Sequence, residues 1–127
     1  MSEIRSFEDL ECWKIGIEIR KLSMQIVRKL PSEEKYDLGR QLKRASRSIT
    51  ANIAEGYGRF HFQENIQFCR ISRGSAYEKI DHLIVASEES YIAQIELNNA
   101  KELINKFLRV LNGYINYLSN AKKNHTH

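Results

Sequence analysis

At 127 residues the chain has the length of one domain, its 42% apolar and 28% charged residues are ordinary for a soluble globular protein, and no apolar run approaches the length of about 18 residues that spans a bilayer. A formal charge of +4 and a pI near 9.1 fit a nucleic-acid partner without requiring one. Six glycines and one proline are too few for the regular turns of an all-β chain, so helices are expected throughout.

The first helix is expected over about residues 7–29. It opens at "SFED", where Ser6 can cap the first turn and Asp9, three positions on, can answer it as a weak capping box. Leu10, Trp13, Ile17, Met24 and Val27 form one apolar stripe, and Ile15, Ile19, Leu22, Ile26 and Leu30 a neighbouring one. So wide a surface predicts contact on two sides. Pro31 disfavours helical geometry at Leu30 and ends the helix. Ser32, Glu33 and Glu34 then suit a new N-terminus, and a second helix is expected over about 34–58. A short break at "YGRFH" precedes a third helix, about 62–90. The fourth, about 96–121, carries Leu97, Ala100, Ile104, Phe107, Leu111, Tyr114 and Leu118 in a 3-4 repeat. The polar tail 121–127, "AKKNHTH", is expected to fray. Short connections between long helices predict an all-α, antiparallel up-down-up-down four-helix bundle in a single domain.

On the second helix, Leu38, Leu42, Ala45, Ile49, Ile53 and Gly56 share the core side, and Asn52 lies among them. Arg40, Lys43, Arg44 and Arg47 cluster opposite as a basic stripe. Further along that outer face come Ala51 and Ala54, small enough to let a second subunit approach closely; they are the expected oligomer contact. The third helix carries two apolar lines, Phe62, Ile66, Cys69, Ala76 and Ile80 against Phe68, Ile71, Ser75, His82 and Ala86, and either can face the core.

"NIAEGYG" reads as a structural junction. Asn52 requires hydrogen-bond mates, and Ser75 and Glu78 on the third helix are within reach across a hairpin. Glu55 precedes Arg59 by one turn, the favourable order for a helical ion pair. Gly56 permits close helix approach, and Gly58 suits a left-handed C-terminal cap.

The stretch "QLKRASRSITANIAEGYGR" (41–59), with "SFEDLECWK" (6–14) and "RGSAYE" (73–78), resembles the four-helix bundle family of the protein encoded in intervening sequences of bacterial 23S rRNA genes. A sister group comprises the accessory variability proteins of diversity-generating retroelements. The resemblance spans about residues 6–120. It implies a bundle that assembles into a ring-shaped homopentamer, with basic residues available to nucleic acid and no enzymatic activity. Thr50 stands where many relatives have proline, and Lys79 where an apolar residue is common, which bears on the geometry of the second helix and the surface of the third.

The expected function is therefore oligomeric binding of RNA or DNA, through phosphate contacts from Arg40, Lys43, Arg44 and Arg47, joined by Arg59, Arg70 and Arg73. The alternative is a structural or adaptor homo-oligomer whose partner is a protein. No cofactor, metal, membrane or small-molecule substrate is expected. His61, His82, His125 and His127 lack partners at ligand spacing, save Glu78 and His82 on adjacent turns, and "GYGR" follows a helix where a phosphate loop follows a strand. Cys12 and Cys69 match no redox or metal spacing and read as reduced thiols. "MSEIRSFEDL" lacks the layout of a signal peptide, and a cytoplasmic location is expected.

Overall fold

The computed structural model describes residues 3–124. A 3₁₀ turn, Phe7–Asp9, leads into α1 (Glu11–Lys29), a single turn α2 (Ser32–Lys35), and three long helices, α3 (Leu38–Gly58), α4 (Phe62–Glu88) and α5 (Gln94–Asn124). Helices α1, α3, α4 and α5 form the bundle, each touching the next and α5 closing back on α1. Antiparallel register follows from the pairs in contact. Gly16 lies against Thr50 and Ser23 against Ser46 between α1 and α3, while Gly56 meets Asn65 and Leu42 meets Lys79 between α3 and α4.

The Ser6 capping box forms as expected, with the Ser6 hydroxyl accepting from Glu8 and Asp9 answering the Ser6 amide, but it closes only the 3₁₀ turn. Leu10 then takes an extended backbone (φ −70°, ψ 129°) that sends its side chain into the core, and α1 begins one residue later. Ser32 opens α2 without capping it, and Tyr36 and Asp37 separate that turn from α3. α5 starts two residues earlier than expected, and Ala121–Asn124 continue it where fraying was expected. His125 and His127 lie outside the described residues.

The core follows the helical stripes. On α1 the second stripe is the inner one: Ile15, Ile19, Ile26 and Leu30 are buried with Leu10 and Val27, while Trp13, Ile17 and Met24 are half-buried. On α3 Leu38, Leu42, Ala45, Ile49, Ile53 and Gly56 are all buried, and on α5 the whole repeat is buried except the half-buried Tyr114. Close approach of α1 and α3 depends on Gly16, where a Cβ would stand 2.7 Å from Thr50 Cγ2. Thr50 itself is buried in an unbroken helix. Ser46 donates to Ser23 (2.7 Å), which donates to the Ile19 carbonyl (2.8 Å), so buried hydroxyls in this seam are satisfied.

For α4 the structure decides between the two apolar lines. Of the first line Ile66, Cys69 and Ala76 are buried, with Leu83, and Phe62 and Ile80 half-buried; of the other only Ala86 is buried, and Ile71 is 52% exposed. Between the lines runs a stripe that periodicity alone gives no reason to bury. Asn65, Ser72 and Lys79 recur one heptad apart and all face α3. Ser72 donates to the Ile49 carbonyl (2.8 Å), and Lys79 Nζ to the Leu42 carbonyl (3.2 Å). Lys79, at a position where an apolar residue is common among relatives, is 2% exposed. Burial pushes its ammonium down to about 7, because the charged form loses its hydration. Both cysteines are buried and free, and burial pushes their thiols up to about 12, which keeps them protonated and unreactive.

Candidate nucleic-acid interface

The basic stripe of α3 faces outward because the opposite face is committed to the core. Arg40, Arg44 and Arg47 are exposed and Lys43 is half-buried. With Lys35, the last residue of α2, and Tyr36 after it, these four side chains line a shallow groove of about 590 Å³. No carboxylate lines it. Among the described residues Lys35, Arg40, Lys43 and Arg47 enter no ion pair, while Arg44 reaches Gln41 (2.9 Å) and Glu78 (3.4 Å). A second, narrower cleft beside Lys43 and Arg47 adds Arg20 from α1, so the cationic flank crosses two helices. The carboxylates of this corner turn away: Glu34, Asp37 and Glu78 line the neighbouring groove, and Glu34 accepts from the Tyr91 hydroxyl at 2.8 Å.

The remaining candidate arginines are elsewhere and differently engaged. Arg59 is about 18 Å along the helix axis from Arg47. It is held by Glu55 (3.5 Å) and Glu64 (3.7 Å) and lies over the Phe68 ring at 5.1 Å. Arg73 is half-buried and donates to Asn112 (2.9 Å). Arg70 is exposed on α4, near the level of Ala51 in the antiparallel register. Thus four of the seven candidates converge and three do not.

The junction differs from expectation in its bonding. Asn52 is half-buried and donates within its own helix, to the Ser48 carbonyl (2.8 Å) and hydroxyl (3.0 Å). Ser48 in turn shares a hydrogen bond with Ser75 (2.7 Å), so Asn52 reaches α4 only through Ser48. Glu78 pairs with Arg44 and His82 instead (both 3.4 Å), because it projects to the exposed edge of the α3–α4 seam. The Glu55–Arg59 pair forms as expected. Gly56 is the point of closest helix approach. Gly58, expected in left-handed geometry, remains helical; the chain reversal falls two residues later on Phe60 (φ 59°), whose ring is 87% exposed. Ala51 is exposed and Ala54 half-buried in the single chain.

Sequence reasoning missed Lys35, Tyr36 and Arg20. The first two sit at the end of the single turn α2, too short for a periodicity to read, and Arg20 lies on a different helix. It also missed a depression of about 500 Å³ at the opposite end of the bundle, where Tyr57, Phe60, Tyr114 and Tyr117 meet beside Asn65. There Asn65 donates to the Tyr114 hydroxyl (3.0 Å), and burial raises that phenol to about 12. Among the described residues no group of three or more His, Cys, Asp or Glu side chains is placed to hold a metal, and no helix is long and apolar enough to cross a membrane.

These features define a four-helix bundle protein with one cationic outer flank. The profile of the 23S rRNA-intervening sequence protein family matches residues 8–113, and the chain belongs to that family. Among solved structures it is similar to a protein of unknown function from the S23 ribosomal protein family of Bacteroides thetaiotaomicron. The match has a TM-score of 0.75 at 18% identity and covers 82% of this chain and 97% of that one. At that identity the likeness concerns the fold. A search of curated proteins found no match.

Proposed function

We propose that this protein is a non-enzymatic, oligomeric nucleic-acid-binding bundle that engages phosphates through the outer flank of α3. The observation that carries this reading is the convergence of Lys35, Arg40, Lys43 and Arg47 on one exposed groove without a carboxylate partner. Adjacent cations repel one another, and a polyanion relieves that repulsion while releasing its condensed counterions. Contacts of this kind position a backbone and read no bases. Assembly into a ring, the homopentamer that the family resemblance implies, would multiply weak contacts per subunit by avidity. Kinship with retroelement accessory proteins and residence in the cytoplasm belong to the same proposal.

Binding to duplex DNA is expected to weaken with salt at a logarithmic slope near 0.9 per phosphate contacted. The double substitution Arg40→Gln with Arg47→Gln should flatten that slope by about 2, while Arg59→Gln and Arg73→Gln, whose side chains already have protein partners, should leave it nearly unchanged. Fluorescence polarisation across a salt series measures both. An affinity indifferent to salt and to these substitutions would refute the reading.

A protein-binding adaptor is the second reading, favoured by the outer face of α4, where Ile71 (52%) and Tyr77 (58%) are exposed beside Gly74. Both readings expect self-association. Light scattering over a range of concentrations should give a multiple of the 14.9 kDa chain, and Ala51→Arg should shift it toward the monomer. A monomer at every concentration would remove the ring from both.

A further inference from the structure

Among the residues lining the cationic groove stands one largely exposed aromatic ring. Tyr36 caps α2 in ordinary right-handed geometry, is 77% exposed, and lines the groove with Lys35, Arg40, Lys43, Arg44 and Arg47. No aromatic partner stacks on it among the described residues, whereas Phe7 meets Trp13 and Tyr114 meets Tyr117. An exposed tyrosine contributes little to stability, so its place among five cations wants another account. Arg40 to Arg47 spans about 10 Å of helix, the axial length of on the order of three phosphates in one strand. Base stacking on a ring flanked by phosphate-binding cations is how proteins hold single strands without sequence preference. A duplex keeps its base faces stacked on each other and offers Tyr36 only backbone.

The geometry points to single-stranded nucleic acid as the ligand of this groove, with the backbone on Arg40, Lys43 and Arg47 and one base stacked on Tyr36. This rests on the phosphate-binding reading above and adds the ligand's form. Tyr36 is then a specificity-determining residue, selecting single strands over duplexes, and Lys35 beside it holds the phosphate nearest the stacked base.

The test uses the whole chain, a labelled oligothymidylate and a duplex of equal length, read by fluorescence polarisation at low salt. Tyr36→Ala is expected to weaken the single strand about tenfold and leave the duplex unchanged, while Tyr36→Phe keeps the original preference. In Tyr36→Trp, oligothymidylate should quench the new indole emission, a change that a purely structural role for Tyr36 would not produce. If Tyr36→Ala leaves the single strand unaffected, or weakens both ligands equally, while Arg40→Gln with Arg47→Gln weakens both, stacking is overturned and phosphate binding stands. If the unmodified protein binds neither ligand, both proposals fall.

Discussion

Replacing Lys79 by methionine is expected to stabilise the protein at pH 6 by on the order of 3 kcal/mol, an unusual outcome for a fully buried position. The ammonium sits between α3 and α4 and donates to the Leu42 carbonyl at 3.2 Å, and among the described residues no carboxylate forms an ion pair with it. That carbonyl lies inside α3 and accepts the backbone amide one turn further on, so it keeps a partner when the lysine is gone. Methionine has a similar length and flexibility and carries nothing to desolvate.

The pH dependence has a definite sign. The unfolded chain holds the Lys79 proton up to about 10.5, while the folded protein releases it near 7. Between those values the unfolded state binds more protons, so stability rises with pH across that window. Below about 7 both states carry the charge and the full desolvation cost remains. Chemical denaturation at pH 6, 8 and 10 should therefore show a rising midpoint for the natural chain and a loss of that component in Lys79→Met. A variant less stable than the natural chain at pH 6 would show that the buried amine is worth more than its burial costs.

The second large effect is a contrast between two glycines in one helix turn. Gly56→Ala is expected to destabilise by about 1–3 kcal/mol, the usual range for overpacking a close contact. A Cβ there would stand 2.7 Å from Asn65 Oδ1, 2.9 Å from Phe68 Cβ and 3.1 Å from the Asn65 carbonyl oxygen, two of which lie on or next to the α4 backbone and cannot swing away. Helix α4 would have to move, disturbing the Asn65–Tyr114 hydrogen bond at the same end of the bundle. Gly58→Ala should do the opposite and stabilise by about 0.4–1 kcal/mol, because the unfolded chain loses freedom while the native helix loses nothing. No atom lies within 4 Å of a Cβ at Gly58, and its φ is not positive. Thermal melts of the two variants measure both, and equal effects would contradict the packing described.

The same pair of residues shows how far local reasoning reaches. Close approach at Gly56 was legible because it falls on the apolar side of α3, and that side is defined by Leu42, Ile49 and Ile53 at helical spacing. The role expected of Gly58 was not borne out, because where a chain reverses depends on where the next helix must begin. With Asn65 packed against Gly56, the reversal falls on Phe60 at some cost in backbone strain. Asn52 differs in both respects: it is half-buried at the edge of the core face, and it bonds Ser48 one turn back in its own helix in place of Ser75 or Glu78 on α4.

Periodicity along one helix is a local property, so the long helices, the inner face of α3 and α5, and the outward direction of Arg40, Lys43, Arg44 and Arg47 are all legible in the residues alone. Helix packing is what buries Asn65, Ser72 and Lys79, brings Lys35, Tyr36 and Arg20 to the α3 cations, and ties Arg59 and Arg73 to Glu55, Glu64 and Asn112. The reason is physical: burial of a polar group and the company a charge keeps depend on which surface lies opposite, and that is a property of packed helices together.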